Sequence, residues 1–411
     1  MNLWKSIIFN NENTLDVNNI NFKIETSERF PKSLINKKYK NLLNNIKNIA
    51  CNIENWAVYR RLFTTLNFLN FHINKKNIGI YKKNILSRSF FKMIEIHNTY
   101  NIFKDYKNSN IKVALIAEAP GGFVEALYKL RKYNVDDKYY GISLINKHQY
   151  IPSWGYYKKK YSNNKKLSIL EGFDKTGDIY KLSNMLNFIK TIGKHSCEIV
   201  TADGGFDFTD DYINQEYSFS RLFLCEIILA LNLQKKGGNF IIKCFDLTHT
   251  FTIKLFYLLC NLYDKVVITK LTTSRQTNSE RFIICKNLLH HLDDNTMWNF
   301  FNIIVRWDML VINNKIHDIF NFNIPYSFLN KMDTYNGWFF QKQLDIFTYI
   351  LDIEFNVNNT ITDNIVKDTI KNNIETCIMF CKVNNLFIDY SSPILKTSIE
   401  DIVNYYFVLK K

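Results

Sequence analysis

The stretch KVALIAEAPGGFVEAL, residues 112–127, joins an apolar run to a helical pattern through an acid, a proline and two glycines. After a strand, such a turn either brings backbone close to a ligand at the strand's carboxyl end or lets the helix pack closely on the strand. EAPGGF lacks the GxGxxG spacing of a dinucleotide loop and the Lys-Ser/Thr of a P-loop, so it is not built to cradle a pyrophosphate or triphosphate. A cofactor without phosphates, such as S-adenosylmethionine, suits it better. The candidate contacts are the loop residues Glu118, Ala119, Pro120, Gly121, Gly122 and Phe123.

Two charged residues stand at the ends of apolar runs further on. Lys243 lies between FII and CF in GGNFIIKCF, and Asp203 closes CEIVTAD before two glycines. A lysine there is either a surface residue on an edge strand or a buried amine that needs carboxylates beside it. An aspartate before Gly-Gly is either a turn former or an acid at a strand end that faces a site.

The elements that must hold these residues are legible as texture. Between about 86 and 288, short apolar runs alternate with helical patterns: KVALIAEA, YYGISLI, LSILEG, CEIVTADGG, GGNFIIKCF, DKVVITKL and RFIICKNL. That alternation predicts an α/β fold with a mostly parallel sheet and helices on both faces. Residues 1–85 are rich in Asn and Lys, with an amphipathic pattern around IENWAVYRRLFTTLNFLNF, and read as a helical N-terminal extension. Residues 289–411 carry long aromatic-rich stretches and read as a mainly helical C-terminal region.

Lys and Arg outnumber Asp and Glu by 53 to 38, a net charge of +15. The excess either serves a polyanionic partner, with nucleic acid the default, or reflects the Asn-, Lys- and Ile-rich usage of an AT-rich genome. No segment approaches the roughly 20 apolar residues of a membrane helix, and the first residues lack the look of a secretory or transit peptide, so an intracellular, cytoplasmic location is expected. The eight cysteines contain no CxxC pair and read as buried small side chains in a reducing compartment, with no metal site expected.

SRSFFKMIEI, AEAPGGF, TADGGF, GGNFIIKCFDL and TSRQTNSERFIICK, in that order, resemble the motifs of the FtsJ-like 2'-O-ribose methyltransferases. Within that family TADGGF, FDL, TSR...NSER and TGDI are most similar to the cap-specific messenger RNA branch of eukaryotes and large DNA viruses. The resemblance covers residues 86–288 and implies a Rossmann-like core with one antiparallel edge strand. It further implies S-adenosylmethionine as cofactor, capped RNA as partner, other capping or transcription factors as possible neighbours, and a viral transcription compartment as one setting. It carries over a tetrad of Lys92, Asp203, Lys243 and Glu280, in which Lys243 accepts or steers the ribose proton or stabilises the developing alkoxide. On Lys243, Lys92 and the carboxylates act in opposite directions. For the cofactor it implies Gly121 and Gly122 at the methionine part, Asp174 (Asp178 as second choice) at the adenine and Asp203 near the methyl. Ser143 stands where bacterial relatives place an acid for the cofactor ribose. A helix N-cap is the other reading of TGDI.

Trp154, Tyr156, Tyr157 and Phe208 are aromatic candidates for stacking a cap base, and Lys158, Lys159, Lys160, Lys165 and Lys166 for following RNA phosphates. Each has a plain alternative, core packing for the aromatics and a solvated loop for the lysines. Other readings are a ribosomal or transfer RNA 2'-O-methyltransferase, a noncatalytic cap-binding or RNA-binding subunit, and flanks that dominate as docking surfaces.

Overall fold

The computed structural model describes residues 4–73, 76–81, 83–145, 152–206, 211–355 and 359–408, without the side chains of 73, 359–363 and 405–408. Ahead of the expected core come strands β1 (Ile7–Asn10) and β2 (Phe22–Ser27), helices α1 (Lys37–Cys51) and α2 (Trp56–Leu62), and the short pair β3 (His72–Ile73) and β4 (Lys76–Asn77). The core runs α3 (Ser89–Tyr100), β5 (Lys112–Ile116), α4 (Gly122–Leu130), β6 (Lys138–Ile142), α5 (Gly155–Lys160), β7 (Leu167–Ile169) and α6 (Leu182–Ile192). It continues with β8 (Cys197–Ala202), α7 (Gln215–Leu233), β9 (Gln234–Cys244), α8 (Thr250–Leu262), β10 (Tyr263–Thr269) and β11 (Arg281–Leu288). Then follow α9 (Asp294–Leu310), β12 (Lys315–Phe320), α10 (Tyr326–Phe355), α11 (Asn359–Val383), α12 (Pro393–Lys396) and α13 (Ile399–Val408).

The main sheet has the order β1-β10-β11-β9-β8-β5-β6-β7. β7, β6, β5, β8 and β9 are parallel neighbours, and β11 is antiparallel to both β9 and β10. This is the mostly parallel sheet expected from the apolar runs and the Rossmann-like core that the resemblance implies, with one correction: the antiparallel β11 is not an edge strand but lies between β9 and β10, and β1 takes the edge beyond β10. The central strands are buried on both faces, which is why they read as unbroken Val, Ile, Leu and Ala. Strand order reverses between β5 and β8, and a doubly wound sheet opens its ligand crevice at the carboxyl ends of such strands.

The antiparallel β11 has a specific consequence. Its register sets Phe282 opposite Lys243 and Arg281 opposite Cys244. The residue just before β11, Glu280, is thereby carried to the end of the sheet where β8 and β9 finish.

The flanks depart from the sequence reading. The N-terminal segment is not purely helical: β1 extends the main sheet by pairing antiparallel with β10, and β2 pairs antiparallel with β12 of the C-terminal segment. The amphipathic pattern around residue 60 gives only the short α2, whereas the longer α1 lies upstream. Both flanks share cores with the central segment. Phe9 of β1 is fully buried between the rings of Phe256 and Phe328, at 5.1 and 5.0 Å between centroids. Phe339, Phe340 and Phe347 of α10 pack on Leu43 and Ala50 of α1. Three stretches that differ in composition thus pack as one body, because the sheet edge and the helix faces of the centre are completed from both ends.

A substitution tests that integration. Phe9→Ala is expected to lower stability by about 3–5 kcal/mol, while the neighbouring, 44% exposed Ile8→Ala changes it by no more than about 0.5 kcal/mol. In denaturant both variants should keep a single transition monitored by fluorescence and by circular dichroism. Separate unfolding of the flank in Phe9→Ala would contradict the shared core.

Candidate active site

Four charged side chains converge where β8, β9, β11 and α3 meet. Lys92 projects from the first turn of α3, Asp203 follows β8, Lys243 is the penultimate residue of β9 and Glu280 precedes β11. Lys92 Nζ donates to Glu280 Oε2 at 2.8 Å and lies 4.0 Å from Asp203 Oδ1. Lys243 Nζ lies 3.2 Å from the same Oδ1 and donates to the Asp203 carbonyl at 2.8 Å. All four side chains are only 10–14% exposed.

Burial alone would lower the Lys92 amine, but Asp203 and Glu280 outweigh it and hold it above its ordinary value. Burial would raise the Glu280 carboxyl, and the two lysines outweigh it and bring it down to about 2. Both groups are therefore charged across the neutral range. Glu280's contribution to stability is complete above the ordinary carboxylate range and is lost as pH falls through about 2.

The loops around the tetrad fit closely. Ala117, the first residue past β5, is left-handed (φ 54°), a conformation in which non-glycine residues are strained and which clusters at functional sites. Ala119 N–H donates to Ser143 Oγ at 3.0 Å, tying the loop to the end of β6. Gly121 has φ 106°, open to glycine at little cost. A Cβ on Gly122 would collide with Ser87, Ser89 and the backbone of Phe90, so this glycine lets α3 and α4 meet. Close packing is therefore the job seen at Gly122, between two helices and not between helix and strand, while Gly121 supplies the left-handed turn that opens the helix. A Cβ on Gly205 would sit 2.8 Å from Lys243 Nζ, so only a bare backbone passes over that amine.

Other expected cofactor contacts are placed differently. Phe123 is fully buried and packs against Phe282, at 6.3 Å between centroids, so its ring is core and does not line the loop's open side. Glu118 also turns inward, accepting from Thr201 Oγ1 at 2.6 Å. Asp174 is exposed and engaged locally, with Lys181 Nζ at 2.6 Å, Thr176 Oγ1 at 2.7 Å and Asn184 Nδ2 at 2.8 Å. The Lys181 hydrogen bond first, then those from Thr176 and Asn184, hold its carboxyl below its ordinary range. Asp178 accepts from Tyr180 N–H at 2.9 Å in a local turn and is not the helix N-cap weighed for TGDI, since Lys181 holds that position before α6. The two acids lie in a loop that packs on the residues after β6, since Ile145 N–H donates to Thr176 O at 2.7 Å and a Cβ on Gly177 would collide with Ser143 O. Ser143 and this loop thus sit together at the sheet's carboxyl edge, apart from the tetrad.

Trp154 and Tyr157 are buried beside Gly121 and pack on each other, so they are not free to stack on a base. Tyr156 is exposed, and Phe208 lies outside the described residues. Lys160 is paired with Glu125, Lys158 lies 3.6 Å from Glu171, and Lys166 donates to Asn134 O at 2.8 Å. These three are therefore held by the protein itself.

Two acids escaped the sequence reading. Glu95, one turn along α3 from Lys92, accepts from Thr272 N–H at 2.7 Å and from Thr273 N–H and Oγ1 at 3.0 and 2.7 Å. Ser274 of the same turn donates to Glu280 at 2.5 Å, so α3 and Glu280 are fastened to one loop. Glu226 on α7 is fully buried, accepts from Gly204 N–H at 3.2 Å and leaves Oε2 without a hydrogen-bond partner. Burial pushes it well above the ordinary carboxylate range, helped by Asp203 and opposed by Lys243. Glu118 moves the same way, through burial and then the Asp203 charge. Glu118 closes the apolar run VALIA and is one of the loop candidates, whereas Glu226 stands as a lone acid inside the apolar helix pattern LFLCEIILAL.

Residues 85–288 match the FtsJ-like methyltransferase family. The central segment is an FtsJ-like methyltransferase domain. It is similar to cap-specific mRNA (nucleoside-2'-O-)-methyltransferase 1 of Homo sapiens, 30% identical over 203 residues, or 47% of this chain and 23% of that protein. A protein of African swine fever virus that carries a methyltransferase name is 28% identical over 254 residues, 56% of each chain. This chain therefore spans about a quarter of the length of the cap-specific relative and just over half that of the viral one. A solved ribosomal RNA methyltransferase structure from Plasmodium falciparum is 19% identical with a TM-score of 0.36, covering 50% of this chain and 98% of its own, too loose a superposition to carry functional weight.

The methyltransferase domain's extra acids give a pH signature. A carboxyl raised on folding keeps a proton that the unfolded chain releases, so stability falls as pH rises from 4.5 towards the folded value. Glu226→Gln removes that titration while keeping the Gly204 hydrogen bond. Its stability curve, followed by urea denaturation at a series of pH values, should match the wild type below 4.5 and run above it at alkaline pH. Parallel curves would mean that Glu226 is ionised in the folded protein.

Proposed function

We propose that the chain is an S-adenosylmethionine-dependent RNA 2'-O-ribose methyltransferase acting on the first transcribed nucleotides of capped messenger RNA. The observation that carries this reading is the compact Lys92–Asp203–Lys243–Glu280 cluster at the carboxyl ends of β8 and β9, inside the FtsJ-like segment. The cofactor's fit is supported by the chain's own atoms. Asp203 Oδ1 is a buried acceptor with no aligned hydrogen-bond donor although Lys243 is near, which suits a cationic ligand. The turn 117–122 contains no basic residue that would answer a phosphate. Gly121 and Gly122, Ser143 and the acids of loop 171–178 are the residues assigned to hold the cofactor along this edge. Bound there, S-adenosylmethionine supplies an electrophilic methyl.

The chain's own residues do the rest. A ribose hydroxyl is a weak acid and a poor nucleophile, so it must share its proton as it attacks in line. Lys243 is the group for that hydroxyl: its amine donates to the Asp203 carbonyl, the Asp203 carboxylate lies 3.2 Å away, and only the bare Gly205 backbone lies over it. Lys92, locked to Glu280, adds a second positive charge near the oxygen as negative charge develops on it. The carboxylates keep both amines in fixed directions, so little reorganisation is needed at the moment of reaction.

Lys243→Ala is expected to reduce transfer of labelled methyl to capped RNA by at least about a thousandfold, with S-adenosylmethionine still bound in calorimetry. Matched RNAs ending in a 7-methylguanosine cap, an unmethylated cap or a bare triphosphate fix the substrate. Label confined to capped RNA supports the cap reading, and equal label on all three moves the assignment to a ribosomal or transfer RNA type of enzyme. RNA binding without any label would favour a noncatalytic subunit.

A further inference from the structure

We infer that Arg60 and Arg61, from outside the FtsJ-like segment, join Arg275 in a phosphate-binding rim beside the tetrad that holds the backbone of the substrate RNA. The inference rests on the proposed RNA substrate and adds to it where the strand is gripped. Arg275 lies in the turn between β10 and β11, which is fastened beside the catalytic cluster: Ser274 donates to Glu280, and Thr272 and Thr273 are held by Glu95, one turn along α3 from Lys92. On its far side the same turn meets the N-terminal segment, where Gln276 Nε2 donates to Thr65 Oγ1 just past α2. Arg60 and Arg61 form the last turn of α2.

The place of α2 is set by several independent contacts. Arg88 donates to the carbonyls of Leu66 and Asn67 at 3.1 and 3.4 Å. From the C-terminal segment, Asn373 Nδ2 donates to Leu62 O at 2.7 Å. Tyr59 Oη donates to Glu354 at 2.8 Å. These contacts bring the turn that carries Arg275 against the end of α2 that carries Arg60 and Arg61. Arg275 reaches solvent but is flanked by protein, and that partial enclosure first, then the charges of Arg60 and Arg61, lower its guanidinium from its ordinary value, with Glu280 opposing.

Arg61 and Arg275 are exposed and Arg60 is half-buried, and among the described residues no carboxylate stands within ion-pair distance of any of the three. Repulsion of this kind costs folding energy unless an anion supplies the missing charge. Guanidinium forks match phosphate oxygens in both charge and geometry. A row of phosphates running past the tetrad would place a ribose, which lies between consecutive phosphates, at Lys243. Sequence reading had looked for this function in the lysines of 158–166, three of which the protein itself engages.

The test is RNA binding as a function of salt. A fluorescent short capped RNA is titrated with full-length protein at several potassium chloride concentrations, and S-adenosylmethionine affinity is measured alongside. Each phosphate contact on a single strand contributes about 0.7 to the slope of log affinity against log salt. In R60Q/R61Q the slope should fall by about 1.4 and affinity by roughly tenfold, with the KM for RNA rising in step and cofactor affinity unchanged. R60K/R61K should keep most of the slope, which separates lost charge from lost folding, and R275Q should lose about 0.7. An unchanged slope in R60Q/R61Q, with RNA still bound, overturns the rim alone. Wild-type protein that binds the cofactor but no RNA overturns the substrate reading and the rim together. A variant that loses binding to polyglutamate but not to RNA assigns the rim to an acidic protein and refutes it as an RNA site.

Discussion

Two amines cannot leave water side by side unless carboxylates go with them, and that requirement organises this protein. Lys92 and Lys243 lie close to one acid, Asp203, and Glu280 makes the count even. The contribution of the carboxylates is visible by contrast with Lys270, a fully buried amine nearby. Its acceptors are Asn278 O and Oδ1 and Glu280 O, at 2.7, 2.9 and 3.2 Å, all of them neutral. Burial takes Lys270 down to about 7, whereas Lys92, equally enclosed but facing two acids, is held above its ordinary value. Neutral oxygens satisfy the hydrogen bonds of a buried amine, but only charge offsets its desolvation.

The same balance bears on the two further acids beside the tetrad. Two lysines against Asp203 and Glu280 already sum to zero. Ionising Glu118 and Glu226 as well would leave two uncompensated negative charges in a region of low dielectric, so burial and Asp203 push both upward. Both accept hydrogen bonds, Glu118 from Thr201 Oγ1 and Glu226 from Gly204 N–H, and they hold the two loops that meet at Ala117 and Gly204.

Much of this was legible in the residues, and the exceptions have physical reasons. The core strands show as apolar runs most clearly at the centre of the sheet, where β5, β8 and β9 are covered on both faces and little polar alternation remains. β1 did not show: four residues, IIFN, carry too little pattern, and it becomes a strand only because β10 offers it an edge. β2 and β12 lie about 290 residues apart in sequence, and neither is apolar enough to declare itself without the other. At the site, motif order located all four tetrad residues. Phe123 was drawn in by proximity to the glycines, yet the first turn of α4 points it away from the loop and into the core. Glu95 and Glu226 were missed because a single acid in a helical pattern gives no hint of whether it faces solvent or the neighbouring loop.

The integration of the flanks follows from the accuracy that such a site demands. Tetrad atoms displaced by even an ångström would exchange an aligned ion pair for a buried, unpaired charge. The residues adjoining Lys243 and Glu280 are therefore fixed from outside the central segment. Asp246, two residues past β9, is ion-paired with Lys40 of α1. Arg281, next to Glu280, is fully buried, donates to Asn336 Oδ1 of α10 at 2.8 Å and to Phe245 O at 3.0 Å, and lies over the Phe339 ring at 4.4 Å. Asn336 in turn donates to Leu247 O at 2.8 Å. One flank clamps the segment after β9, and the other locks that segment to the start of β11. Cutting the chain at the edges of the family match would strip Lys40 from Asp246 and Asn336 from Arg281, removing a buried ion pair and a buried hydrogen bond within a few residues of the tetrad.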